Sequence, residues 1–186
     1  MEDLDRFFGA NGLPDVLIRQ IWLYTVKCPH EGLEAAILRR ALRPHIYDRL
    51  IEAKGIIVED GHVVKLDVFD ENMHSNLTHA ERSTIAFDIQ VLEALPHLTR
   101  IQLPLLRGVK GNIKVFASLP HLTYLDLYNT RVHGDIKALI DMTQLTHFYL
   151  GATMTRGNLD AVCKALKQNL RSCSFPSIYY NNLPLH

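Results

Sequence analysis

Several things that usually announce a function are missing from this 186-residue chain. Its cysteines, Cys28, Cys163 and Cys173, are odd in number and no two stand in C-x-x-C spacing, so a disulfide scaffold or cysteine-built zinc site is not expected. Reduced thiols fit a cytosolic or nuclear compartment. Twenty basic and twenty acidic residues cancel, and no like-charge run occurs, which argues against attraction to a polyanion. The apolar runs are too short to span a bilayer. The acidic start, MEDLDRFFGANG, lacks the basic and apolar regions of a secretory signal.

Catalytic signatures are absent too. There is no H-E-x-x-H, nucleophile elbow or glycine-rich phosphate loop, and the ten histidines are dispersed. His74 and His79 fall in one segment, but two nitrogens without a third ligand make a poor metal site. His97 and His121 recur directly before equivalent apolar segments, a position that a repeating fold explains. No enzyme activity, cofactor or metal is therefore expected.

What the chain does contain is a period. LTYLDLYNTRVHGDIKALIDMTQ, residues 122 to 144, has imperfect copies at 98 to 121 and 145 to 169 and a fragment from 170. The leading leucines Leu98, Leu122, Leu145 and Leu170 are 24, 23 and 25 residues apart. Spacing in this range predicts stacked supersecondary units that share one core. The regularity falters within 104 to 112, where Pro104 and Leu105-Leu106 interrupt it.

Upstream the grammar changes. Leu13, Leu17, Ile21 and Tyr24 share a helix face, GLEAAILRRALR supplies strong helix formers, and Pro44 opens HIYDRLIEAK, which stops at Gly55. Residues 1 to 54 thus read as three short helices capping the array. GIIVEDGHVVKLDV, residues 55 to 68, is two β-branched runs around Asp60-Gly61, a hairpin signal. Its second strand fits the repeat template from Val63 and so begins the array, while the first covers the open sheet edge. From Val63 to Leu98 is 35 residues, and the excess, 70 to 82, reads as a polar surface insertion. Within it Asn76-Leu77-Thr78 matches a glycosylation sequon but reads as a loop tripeptide.

Within each unit the aliphatic residues alternate inward and the residues between them point to the opposite face. Strands about 4.8 Å apart would align these in rows. Arg100, Tyr124 and His147 form one row, Gln102, Asp126 and Tyr149 the next, and Phe69 and Tyr128 contribute to a third. Tyrosine and arginine bury much area while keeping a polar handle, so Arg100, Gln102, Tyr124, Asp126, Tyr128, His147 and Tyr149 are the candidate partner-binding residues. Tyrosines on a sheet also pair across strands without binding anything. Thr130 and Thr153 follow their strands at the turn, where a hydroxyl satisfies backbone groups. Gly111, Gly134 and Gly157 serve a tight backbone path after it.

On the pattern L-x-x-L-x-L-x-x-T-x-V-x-G-D-I-x-x-L, residues 62 to 183 resemble the leucine-rich repeat family, nearest its plant-type subclass. Lys114 and Lys137 stand where that subclass has proline. The resemblance implies an α/β solenoid, 55 to 186, with a curved, mainly parallel sheet, helices and a hairpin at one end, and a scaffold role toward a protein or peptide bound on the concave face of the sheet. It implies no catalytic residues. LPDVLIRQIWLYT, residues 13 to 25, resembles the opening of an F-box, which implies a ubiquitin-ligase substrate receptor; the V-C-x-x-W core of that module has no counterpart. The order helix, helix, helix, hairpin over 13 to 68 is also that of a winged helix, for which Arg39, Arg40, Arg43, Arg49 and Lys54 would supply phosphate contacts.

Overall fold

The computed structural model describes residues 32–69, 75 and 77–174. The expected helix on Leu13, Leu17, Ile21 and Tyr24, the F-box-like stretch and His74 lie outside these residues.

Two helices open the described chain. α1, Leu33–Leu42, buries Ala35, Leu38 and Leu42. α2, Pro44–Glu52, begins on proline, whose fixed φ suits a first helical turn. Arg43 between them takes a positive φ of 74°, which ends one helix before the next begins. β1, Ile56–Glu59, and β2, His62–Asp67, then pair antiparallel. Asp60 and Gly61 have φ of 51° and 83°, the pair of positive values that a type I′ hairpin turn needs.

The inserted segment is not wholly loop, as the sequence reading had it. Thr78 caps α3, His79–Thr84, with a reciprocal capping box: its hydroxyl accepts from the Glu81 N–H, and the Glu81 carboxylate accepts from the Thr78 N–H at 2.8 Å. Thr78 and Glu81 carry the T-x-x-E pattern of that box in the sequence itself.

From Ala86 the chain repeats one path. Short strands β4, Arg100–Gln102, β6, Tyr124–Asp126, β8, His147–Tyr149, and β10, Ser172–Ser174, join β2 in a sheet of order β1-β2-β4-β6-β8-β10. All its pairs are parallel except β1 with β2, so β1 holds one edge. Between them come β3, Ala86–Asp88, β5, Gly108–Asn112, β7, Arg131–Asp135, and β9, Met154–Arg156. These build a second parallel sheet, order β3-β5-β7-β9, that the sequence reading did not foresee. Each of β3, β5 and β7 runs into a 3-10 helix, at Ile89–Ala94, Ile113–Ser118 and Ile136–Leu139, and β9 is followed by α4, Leu159–Ala165.

The core lies between the two sheets and these helices. Leu66, Ile101, Leu125 and Phe148 are mutual register partners and fully buried. Val109 and Val132 from the second sheet, and Ile89, Ile113 and Ile136 from the helical segments, are buried as completely. Each such side chain contributes about 1.5–3 kcal/mol on leaving water. The equivalent of Val132 in the next unit is Thr155, also fully buried, and its hydroxyl is satisfied by Thr153 Oγ1 at 2.7 Å.

Asp88, Asn112, Asp135 and Asn158 each accept, through the side chain, a backbone N–H at the start of the helix that follows. The next unit's glycine lies against that same side chain. A Cβ on Gly134 would come 2.6 Å from Asn112 Oδ1, and one on Gly157 2.6 Å from Asp135 Oδ1. Thr130 and Thr153 donate to the carbonyls of Leu127 and Leu150 at 2.8 and 2.7 Å, the structural role expected of them.

Candidate functional site

The six-stranded sheet carries the candidate residues in the expected rows. Lys65, Arg100, Tyr124, His147 and Ser172 are register partners in one row, and Asp67, Gln102, Asp126, Tyr149 and Ser174 in the next. Short strands suffice because backbone bonds continue past them: the N–H groups of Leu103 and Leu105 donate to the carbonyls of Asp126 and Tyr128.

The first row forms a connected strip. The Arg100 guanidinium carbon sits 3.9 Å from the centre of the Tyr124 ring, close enough for a cation–π contact. The Tyr124 ring is 5.4 Å from the His147 ring and 5.8 Å from Tyr149, both tilted, within the usual range for ring pairs. Thr146 Oγ1 lies 2.8 Å from His147 Nδ1 and orients that imidazole. All four of Arg100, Tyr124, His147 and Tyr149 are half-buried, with part of each surface still open to solvent.

The second row differs from expectation. Asp67, Gln102 and Asp126 are only 1%, 1% and 6% exposed, so Gln102 and Asp126 are buried supports and not presented polar handles. Arg100 explains the arrangement: its Nε donates to Asp67 Oδ2 at 2.6 Å and its Nη2 to Gln102 Oε1 at 3.1 Å. Lys65 Nζ stands 3.5 Å from the same Asp67 oxygen. Asp126 Oδ1 accepts the Tyr128 N–H at 2.9 Å and so fixes the turn that carries Tyr128.

Burial pushes the Asp67 carboxyl above its ordinary range even though Arg100 and Lys65 pull it down. An ion pair at 2.6 Å would by itself lower it; desolvation outweighs the pairing, and Asp67 Oδ1 has no hydrogen-bond partner among the described residues. Asp126 is also raised, by burial first, against the Tyr128 N–H. The Tyr124 phenol is raised by burial and by the nearby Asp126 charge, so it stays protonated and able to donate.

In the third row Tyr128 is 46% exposed, and its ring lies over Gly151, where an added Cβ would approach it to 2.9 Å. Phe69 departs from expectation: it is 8% exposed and packs into the core, with the Arg82 guanidinium 5.6 Å from its ring centre. Leu105 takes its place as the exposed apolar side chain, 48% accessible beside Tyr128, held at a positive φ of 64°. The sequence hint was the interruption at Pro104 to Leu106, where the repeat gains a residue.

The basic residues of the winged-helix reading are partly committed to intramolecular pairs. Arg39 meets Asp48 at 3.0 Å and Arg49 meets Glu81 at 2.7 Å. The hairpin that would serve as the wing is instead the edge of the six-stranded sheet. Among the described residues no helix is long and apolar enough to cross a membrane.

No family model matches the chain, and no curated protein does. Solved structures do. The chain is similar to a pollen receptor kinase 3 at 22% identity and TM-score 0.42, over 65% of this chain and 54% of that one. It is similar also to the leucine-rich repeat ectodomain of the receptor kinase SOBIR1 from Arabidopsis thaliana, at 17% identity and TM-score 0.43, over 66% of this chain and 80% of that one. The chain thus matches about half the length of the first of these structures.

Proposed function

We propose that this chain is a non-catalytic leucine-rich repeat scaffold that docks a protein or peptide on the concave face of the repeat sheet, the side of its six-stranded sheet that carries Arg100, Tyr124 and His147. The observation that carries the reading is the Arg100–Tyr124–His147 strip with Tyr149 behind it. Its side chains are held in place before any partner arrives, which lowers the entropy cost of binding. Buried Asp67 and Gln102 hold the guanidinium flat, and Asp126 holds the turn of Tyr128. The exposed part of the patch is aromatic and aliphatic, with Tyr128 and Leu105 at its rim, and the polar groups below are spent on positioning. A partner segment that brings apolar side chains and a few polar groups suits such a surface: the guanidinium and the Tyr124 hydroxyl can donate to acceptors. His147, whose Nδ1 meets a Thr146 hydroxyl already donated to the Thr123 carbonyl, offers Nε2 as an acceptor.

The test is capture of partners by the intact chain, compared with Tyr124→Ala/Tyr149→Ala and with Lys110→Ala on the second sheet, read by quantitative mass spectrometry. Partners held by wild type and Lys110→Ala but lost with the tyrosines support the surface. A partner set that is unchanged by the double substitution removes it.

A further inference from the structure

Outside that face, three side chains from three separate segments converge. Glu34 comes from the first turn of α1, His62 from the start of β2, and His97 from the residue before Leu98, one unit on. His62 Nδ1 lies 2.8 Å and His97 Nδ1 3.4 Å from the same oxygen, Glu34 Oε1. The two imidazole rings face one another with centres 3.7 Å apart, and His121 continues the column at 6.3 Å from His97. One ligand atom from each of Glu34, His62 and His97 can be chosen so that all lie within 4.8 Å of one another.

We propose that Glu34, His62 and His97 bind a divalent transition-metal ion of the Zn²⁺ class, which fastens α1 to the first two repeat units. Two imidazoles and one carboxylate form a donor set that suits zinc, with water completing a tetrahedron. Bonds of about 2.0–2.2 Å would space the ligand atoms by about 3.3–3.5 Å. The His97–Glu34 separation already has that value, and the His62–Glu34 contact has only to open slightly. The carboxylate is oriented from behind: Glu34 Oε2 accepts the Val63 backbone N–H at 2.9 Å, leaving Oε1 directed at the imidazoles. Glu34 is 9% exposed while the side chains of His62 and His97 are 43% and 44% exposed, so the site is anchored in the protein and open to an entering ion. Nitrogen donors disfavour Ca²⁺ and Mg²⁺, which take oxygen shells.

The experiment uses the full chain, stripped with chelator, in a Cys28→Ser/Cys163→Ser/Cys173→Ser background so that no thiol contributes to metal binding. Zn²⁺ is titrated calorimetrically, and Co²⁺ is added as a visible-absorption reporter of four-coordinate nitrogen and oxygen ligation. The expected result is one saturable equivalent, a rise in Tm with Zn²⁺, and at least a tenfold loss of affinity in Glu34→Gln and in His97→Asn. Imidazole NMR of the unsubstituted histidines guards against misfolded variants, because His62 and His97 resonances should shift together at one equivalent. Absence of saturable binding overturns the proposal, as does affinity unchanged in His62→Asn/His97→Asn or a shift confined to other histidines.

Discussion

Arg100 faces two ways at once: its Nε hydrogen bonds to Asp67, 2% exposed at the side chain, at 2.6 Å, while its guanidinium lies 3.9 Å from the Tyr124 ring centre. One side chain therefore joins the stability of the sheet to the shape of its outer face. Arg100→Ala leaves a buried carboxylate with fewer partners and should destabilise the chain by about 2 kcal/mol, less than a fully buried pair because the arginine side chain is 34% exposed and solvent screens it. Arg100→Lys should recover only part of that, since an ammonium offers neither the planar fork nor the stacking face. Urea midpoints of the three proteins check the order.

The pH dependence has a definite sign. Asp67 and Asp126 are raised by burial, so between the ordinary carboxylate value and their folded values the native state holds more protons than the unfolded chain. Stability contributed by these two groups is thus greatest in acid and falls as pH rises through that window, from pH about 4 upward. Glu81 runs the other way: its hydrogen bonds with Thr78 lower it, so its contribution is present above its unfolded value and is lost as pH falls through the folded one. Carboxyl-carbon NMR titration should place the Asp67 and Asp126 midpoints above the ordinary aspartate value; midpoints at or below it would refute the burial argument.

A double-mutant cycle tests the contact between successive units. Gly134 has a φ of 112° and its Cβ position collides with the capping oxygen of Asn112, so Gly134→Ala should cost about 2 kcal/mol or more. Asn112→Ala removes a helix cap and should cost about 1 kcal/mol. Combined, the two should cost less than their sum, because the second substitution removes the obstacle to the first. Additive losses would mean that the strained φ accounts for the whole effect.

Cys163 and Cys173 place their sulfurs 3.2 Å apart, joining α4 to β10. Burial, and then the hydrogen bond with Cys173, pushes the Cys163 thiol up to about 12, so little of it is thiolate at neutral pH. Diamide, a two-electron thiol oxidant, should convert the pair to an intramolecular disulfide, the reagent taking up both hydrogens, slowly at pH 7 and faster as pH rises. Mass spectrometry of peptide maps would show the cross-link; intermolecular dimers in its place would contradict the geometry.

Much of this was readable before any coordinates. The L-x-x-L-x-L period located β2, β4, β6, β8 and β10, because apolar alternation is a local consequence of which face meets the core. Asp60-Gly61 located the hairpin for an equally local reason. The second sheet leaves no local signal, because segments such as GVKGN and RVHGD are short and polar and become strands only when a neighbouring unit supplies the ladder. Candidate rows were correct in register, but alternation does not tell how deeply a facing residue sinks. Asp126 and Gln102 thus read from alternation as presented groups, whereas they are buried. Leu105 was invisible as a surface residue since leucine in a leucine-rich pattern reads as core. The column of His62, His97 and His121 was noticed in part as a repeat position, and its partner Glu34 was 28 residues from the nearest histidine of the set.

The helix-capping side chains give the array a direction. Asn112 closes its own helix and also limits what the following unit can place at Gly134; Asp135 does the same toward Gly157. A bulky replacement at one of these glycines thus disturbs the cap of the unit before it. Damage is transmitted toward the N-terminal end by this route, and lengthening the array requires each added unit to bring its own glycine.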